Sequence, residues 1–293
     1  MKNQVQSICV VGAGQMGHQI AMLSALAGFE TIIQDVNENA LQKAESTLHT
    51  IMDKWVTKGK ISSETKMESF QRLTFSTNLL HSVQDADFII EAIVEKLDAK
   101  QELFRKLDEF AKPEAILASN SSTIVNSLLA EVTNRPDKVV NMHFFFPPLV
   151  MDCVEVVKSE KTSELTAQMT MLVCEKMNRT AVLLQKEISG FIANRILGAL
   201  QREAVYLYEN GYADYKDIDR ICKKALSHPI GPFELMDLSG IDVGYFVMQQ
   251  RFAETGDPAD RPAECIEEKV KQGHLGRKTG KGWYEYKKEE VRG

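Results

Sequence analysis

Short runs of β-branched residues alternate with amphipathic patterns along the first two-thirds of the chain. Ser7-Ile8-Cys9-Val10-Val11 is an unbroken apolar run of strand length, the pattern of a strand covered on both faces. Between Gly12 and Gly28, Met16, Ile20, Leu23 and Ala27 recur at three- to four-residue steps, which predicts a helix. Thr31–Asp35 reads as the next strand. Leu41, Ala44, Leu48, Ile51 and Trp55 then line one face of a second helix ending near Gly59. Further strands are expected at Arg72–Ser76, Asp87–Val94, Ala115–Ser119 and Val139–Phe145, with a helix from about Ala99 to Ala111. Strands and helices alternating at this spacing predict an α/β fold with a parallel, doubly wound sheet.

The texture changes after Leu183-Leu184-Gln185. From Ser189 the chain reads as helices at Ser189–Asn210, Asp217–Leu226, Gly240–Thr255 and Pro262–Gln272, separated by Gly211, Pro229, Gly231-Pro232 and Gly273. Two domains are therefore expected, an α/β domain over 1–187 and a smaller all-helical one over 188–293, which a length of 293 residues accommodates.

Composition narrows the function classes. With 44% apolar and 26% charged residues the chain is globular rather than disordered or fibrous. Its 41 acidic against 35 basic residues give a formal charge of −6, which argues against nucleic acid as a partner. An anionic ligand must then find local positive charge. The five cysteines are an odd number at wide spacing, with no CxxC and no Cys/His cluster, so neither a disulfide framework nor a metal site is indicated. No apolar stretch approaches the ~20 residues of a membrane span, and Met1–Gln6 is too short for a leader. A soluble, cytoplasmic protein is expected.

Gly12-Ala13-Gly14-Gln15-Met16-Gly17 follows the first strand and opens the first helix. In this GxGxxG pattern the glycines serve a tight turn, close approach of backbone to a pyrophosphate, and close packing of helix on strand. Asp35, 18 residues beyond Gly17, ends the second strand, where a carboxylate accepts bonds from a ribose hydroxyl and repels a 2′-phosphate. The pattern predicts NAD rather than NADP. The alternative for Asp35 is a capping residue ahead of Asn37.

His143 closes another strand, before Phe144-Phe145-Phe146-Pro147-Pro148. Amid aromatics it is either a buried core residue or a general base at the carboxyl edge, where open α/β sheets bind ligands. Glu155, a carboxylate inside the apolar run Val154–Val157, is costly unless paired. A histidine partner would satisfy it, fix the imidazole tautomer and favour the imidazolium. Ser119-Asn120-Ser121-Ser122-Thr123 also follows a strand and precedes a helix, as a capping cluster or as a set of polar ligands for a bound group.

Taken together, these blocks resemble the NAD-dependent L-3-hydroxyacyl-CoA dehydrogenase family, especially its bacterial short-chain 3-hydroxybutyryl-CoA members. The resemblance runs along essentially the whole chain. It adds Ile90–Glu95 with Lys100, Met151, Gly190–Arg195, His228–Leu235 and Gly276–Gly282 to the motifs above. It implies a Rossmann-type NAD domain, a helical domain that forms a homodimer, and an active site in the cleft between them. By position, His143 resembles the family's catalytic base and Glu155 its carboxylate partner. Ser122 and Asn194 resemble the groups that hold the substrate's C3 oxygen and thioester end. Glu95, Lys100, Ser122 and Lys278 fall where the family contacts NAD. Lys54 and Lys58 fall near its CoA-contacting lysine, and Ser122 is shared with that substrate.

Two positions depart from the pattern. Phe146 stands where the family commonly has asparagine after His-Phe-Phe, and Asp152 where lysine is frequent. A phenyl ring offers no donor or acceptor, so the asparagine's contacts do not carry over. Two alternatives are weighed beside this reading. One is a dehydrogenase of the same build acting on L-carnitine or L-gulonate, relatives that usually lack the Phe-Phe pair. The other is a noncatalytic NAD-binding relative, against which the intact His143 and Glu155 argue.

Overall fold

A computed structural model describes residues 5–256 and 258–287. The chain divides into two compact units, Met1–Ile192 and Ala193–Gly293. The first contains β1 (Ser7–Val11), α1 (Gly17–Leu26), β2 (Glu30–Gln34), α2 (Glu38–Thr57), α3 (Ser63–Gln71), β3 (Leu73–Ser76), α4 (Leu79–Val83), β4 (Phe88–Glu91), α5 (Leu97–Phe110), β5 (Ile116–Ser119), α6 (Asn126–Ala130), β6 (Val139–Phe144), β7 (Cys153–Val157), α7 (Glu164–Lys176) and β8 (Thr180–Leu184). Its sheet runs in the order β3-β2-β1-β4-β5-β6-β7-β8. The order reverses between β1 and β4, the topological switch at which such sheets bind dinucleotides.

The expected strands form, but the sheet is not parallel throughout: β6 and β7 pair antiparallel, with β8 parallel to β7. Only residues 145–152 join β6 to β7, fewer than the dozen or so a parallel crossover needs. The expected strand Asp87–Val94 ends at Glu91, because the chain turns there to bring Glu91 and Glu95 onto the N-terminal turn of α5. Three helices of this unit, α3, α4 and α7, carry too few regularly spaced apolar residues to be read in advance. They are marked instead by polar caps, as Ser62, Asn78 and Ser163 each accept a bond from a first-turn N–H.

Two apolar layers clamp the sheet. Ile20, Met22, Leu48, Met52, Phe88 and Phe144 belong to one, and Ile89, Phe104, Leu107, Leu117 and Leu129 to the other. Such burial, at roughly 25 cal/mol per Å² of apolar surface, fixes the strand ends that carry the polar residues below.

The second unit comprises α8 (Ala193–Glu209), α9 (Tyr215–Lys224), α10 (Pro232–Ser239), α11 (Ile241–Thr255) and α12 (Glu264–Lys271). The helix expected from Ser189 begins at Ala193, since Gly190 and Phe191 take positive φ values of 78° and 47°. Trp283, Phe233 and Tyr208 interlock at its centre. Two buried carboxylates act as hubs for the C-terminal turn. Asp237 accepts from the Trp283 and Tyr284 amides and the Tyr286 hydroxyl, and Asp219 from the Phe233 and Glu234 amides and the Tyr284 hydroxyl. No helix among the described residues is long and apolar enough to cross a membrane.

Candidate active site

The glycine loop has the shape of a phosphate cradle. Gly12 has φ +107°, and a Cβ there would stand 2.6 Å from the Ala92 carbonyl oxygen. A Cβ on Gly17 would stand 1.7 Å from the Gly12 carbonyl oxygen, so α1 can approach β1 only without side chains at both positions. Gly14 has nothing within 4 Å of where its Cβ would be, leaving open space above the loop. α1 begins without a side-chain cap, and its positive dipole end lies at this loop. A cavity of about 650 Å³ runs past Gly12, Gly14, Gln15 and Met16 to Asp35, and along Ala92–Val94.

Asp35 is tied to this loop. Its Oδ2 accepts from the Ala13 amide at 2.8 Å and its Oδ1 from the Asn37 amide at 2.9 Å. Capping of α2 falls to Asn37, whose side chain accepts from Asn39 and Ala40; Asp35 borders the cavity instead. An extended dinucleotide fits these features, with phosphates over Gly14 and a ribose hydroxyl within the reach of Asp35.

Across the sheet, His143 and Glu155 are register partners on β6 and β7. Nδ1 of His143 lies 2.8 Å from Glu155 Oε2, and Glu155 Oε1 accepts from the Ile192 amide at 2.9 Å. A carboxylate can only accept, so the bond suits the tautomer with its proton on Nδ1. His143 is only 5% exposed, and Phe145 and Phe191 flank its ring at 4.7 and 5.5 Å between centroids. Such an arrangement could serve a general base.

Between these two places the ends of β4 and β5 carry a third cluster. Lys100 Nζ bonds Glu91 Oε1 at 2.6 Å and Glu95 Oε2 at 3.2 Å. Glu95 Oε1 gathers the Ser121 hydroxyl at 2.5 Å, the Ser122 and Thr123 amides at 3.0 and 3.1 Å, and the Thr123 hydroxyl at 3.0 Å. Partial burial opposes its charge, but the Lys100 ammonium and these donors prevail and bring the carboxyl down to about 2. Ser119–Thr123 do not cap α6, which starts at Asn126 with no side-chain cap. Ser121–Thr123 wrap Glu95 instead, while Ser119 bonds Glu91 and Asn120 the Phe144 amide.

The structure brings Glu95, Lys100 and Ser122 together, and separately Gly12–Gly17 with Asp35. It changes the electrostatics expected of the lysines. Lys100 is 1% exposed and balanced by two carboxylates, so it is not a bare positive charge for a phosphate. Lys278 pairs with Asp242 inside the helical unit. Lys54 and Lys58, at the end of α2, are exposed and form no ion pair among the described residues. Asn194 lies exposed in the first turn of α8. Phe146 is 58% exposed just beyond β6, while Asp152 ties β7 to β8 by accepting from the Thr180 hydroxyl at 2.8 Å.

Two residues of this region escaped sequence reasoning: Glu91 is the buried partner of Lys100, and Gln19 accepts from the Leu149 amide. Asn120, expected as a cap or a polar ligand, instead accepts from the Phe144 amide at 3.0 Å and so joins the β5 and β6 ends. A carboxylate closing the apolar run Phe88–Ile90 was the available signal for Glu91; Gln19 carries none.

Residues 7–188 match the NAD-binding domain of 3-hydroxyacyl-CoA dehydrogenase, and residues 190–286 match the C-terminal domain of the same family. Over 97% of its length the chain is 39% identical to a probable 3-hydroxybutyryl-CoA dehydrogenase of Bacillus subtilis, covering 98% of that protein. It is 36% identical to a 3-hydroxybutyryl-CoA dehydrogenase of Clostridioides difficile, over 96% of this chain and 99% of that one. The crystal structure of (S)-3-hydroxybutyryl-CoA dehydrogenase from Ralstonia eutropha is similar with a TM-score of 0.91 and 34% identity, covering 97% of this chain and all of that one.

Proposed function

Since the chain belongs to the 3-hydroxyacyl-CoA dehydrogenase family and is an NAD-dependent dehydrogenase, we propose that its substrates are the short-chain pair (S)-3-hydroxybutyryl-CoA and acetoacetyl-CoA, with His143 as acid and base. The observation that carries this reading is the His143–Glu155 pair, at the carboxyl edge of the sheet that holds the glycine loop. NAD supplies the hydride chemistry at the substrate's C3.

The residues divide the remaining work. In oxidation, His143 Nε2 takes the proton of the 3-hydroxyl as the C3–H bond breaks. In reduction, the protonated ring returns that proton to the ketone oxygen. Glu155 keeps Nδ1 protonated and stabilises the imidazolium while the proton is held. Phe145 and Phe191 exclude water from the ring. Ser122 holds the C3 oxygen, and Asn194 the thioester end. Gly12–Gly17 and Asp35 bind the adenosine and pyrophosphate part of NAD, Glu95 and Ser122 border its nicotinamide half, Lys100 positions Glu95, and Lys278 is assigned to the cofactor as well. Lys54 and Lys58 meet the phosphates of CoA.

Exposed apolar side chains in the helical unit, among them Ile196, Val243 and Phe246, support a homodimer. A cytoplasmic location goes with this reading. The deciding assay compares initial rates of NADH oxidation with acetoacetyl-CoA, longer 3-ketoacyl-CoAs and 3-dehydrocarnitine, and repeats the first with NADPH. Turnover of acetoacetyl-CoA with NADH is expected. Activity confined to 3-dehydrocarnitine, or NADH binding without any turnover, would reject the proposal.

A further inference from the structure

The carboxylate of Glu91 is fully buried, and every atom that meets it is a donor. Oε1 accepts from Lys100 Nζ at 2.6 Å and from the Ile93 amide at 2.7 Å; Oε2 accepts from the Ser119 hydroxyl at 2.6 Å. Ser119 Oγ in turn accepts from the Ser121 amide at 3.1 Å, which leaves its own proton for Glu91. Three donors converge on its two oxygens, the arrangement that suits a carboxylate. Lys100 carries one positive charge, and Glu91 and Glu95 one negative charge each, so the cluster has a net charge of −1.

The sheet order locates this charge. Asp35 at β2 and the glycine loop at β1 take the adenosine half and the pyrophosphate of the dinucleotide. The other half must cross the switch point toward the ends of β4 and β5 to bring its ring near a carbon whose oxygen meets His143 on β6. That path ends over Glu95 and Ser121–Thr123, with Glu91 and Lys100 directly beneath them. The nicotinamide ring is cationic in NAD⁺ and neutral in NADH.

We propose that Glu91 is a positioning residue that also sets the redox preference of the site. Through Lys100 and Ser119 it holds Glu95 and the Ser121–Thr123 turn in place, and its charge makes the cluster net negative, favouring NAD⁺ over NADH. The inference rests on the cofactor placement proposed above.

Glu91→Gln keeps the size and shape of the side chain and removes its charge. Titration of the purified protein with NADH by fluorescence, and with NAD⁺ by calorimetry, yields both dissociation constants without turnover. The ratio Kd(NAD⁺)/Kd(NADH) is expected to rise about tenfold, which places the midpoint potential of the bound couple about 30 mV higher. Ser119→Ala removes a hydrogen bond from the same carboxylate without changing charge, and should leave the ratio within about twofold. Thermal midpoints of both variants report any loss of packing, and the ratio is read on folded protein only. Equal weakening of both nucleotides in Glu91→Gln overturns the inference, as does the same ratio change in Ser119→Ala. Asp35→Ala separates the premise from the inference: if it leaves both affinities intact, the cofactor placement itself fails.

Discussion

Nδ1 of His143 stands 2.8 Å from Oε2 of Glu155 across the antiparallel β6–β7 junction, where the two residues face each other in register. The antiparallel turn of the chain thus supplies the partner that a parallel neighbour would have placed elsewhere. Replacing His143 by alanine removes the proposed base but leaves the glycine loop untouched. Turnover is expected to fall ~10²–10⁴-fold with NADH affinity unchanged. Glu155→Gln keeps a hydrogen-bonding group and loses the charge that favours the imidazolium, so a smaller fall, about 10- to 100-fold, is expected. A His143→Ala protein that retains more than about a tenth of wild-type turnover would remove the ring from the mechanism.

Asp35 has two duties, and one variant separates them. Its Oδ2 binds the Ala13 amide, and the same carboxylate borders the cavity, where the proposed cofactor would bring a ribose hydroxyl. Asp35→Asn preserves an acceptor for Ala13 while removing the charge that repels a 2′-phosphate. The preference for NADH over NADPH, measured as the ratio of kcat/KM values, should drop by about tenfold or more, mostly through KM. An unchanged ratio would leave Asp35 only its loop-anchoring part.

How much of this was legible follows from where each signal resides. GxGxxG and Asp35 are local, because a turn, a phosphate and a ribose contact act within one βαβ unit, and the structure assembles them as the spacing implied. The pairing of His143 with Glu155 is non-local but left a trace, a carboxylate inside an apolar strand. Among the partners of Lys100 and Lys278, Glu91 left only its place at the end of an apolar run, and Glu95 and Asp242 left no trace. Each lysine reads as a free cation in sequence, and only the fold brings Glu91, Glu95 and Asp242 to them. The direction of β7 was likewise missed because periodicity predicts strands and not their sense. The short 145–152 connection was the clue to it.

Glu95 links pH to stability in a definite direction. Its carboxyl sits at about 2, below the ordinary 4.5, so its ionised form is favoured in the folded state. That contribution is fully present above pH 4.5 and is lost as pH falls toward 2. The side chain is 39% exposed, so solvent screening reduces the contribution to the order of 1 kcal/mol. The Glu95→Gln protein should melt a few degrees below wild type at pH 7, and the gap should close between about pH 4.5 and pH 2. Thermal unfolding as a function of pH checks this, and a gap that persists at pH 2.5 would assign the loss to packing instead.

Phe146 is 58% exposed beside the strand that carries His143. Little apolar area is buried there, so Phe146→Asn should shift the thermal midpoint by no more than about 2 °C. Kinetics should respond instead. An amide at this position restores a donor and an acceptor near the reacting groups, and kcat/KM is expected to change about threefold or more, unequally across acyl lengths. Identical kinetic parameters for acetoacetyl-CoA and a longer 3-ketoacyl-CoA in both proteins would exclude Phe146 from the site.

A chain of formal charge −6 that takes a CoA thioester gains nothing from its overall field. Of the lysines singled out, Lys100 and Lys278 already hold carboxylate partners, whereas Lys54 and Lys58 project from the end of α2 unpaired among the described residues. Under the proposed function they are the cations left for phosphate. Reversing both, Lys54→Glu with Lys58→Glu, should raise KM for acetoacetyl-CoA about 10- to 100-fold while NADH binding changes less than about twofold. The effect on the CoA substrate should shrink as salt rises from 50 to 500 mM, because exposed charges are screened beyond roughly 10 Å at 0.1 M. Both lysines lie on an exposed helix end, so folding is not at risk, and equal losses for NADH and acetoacetyl-CoA would move the CoA phosphates to another part of the surface.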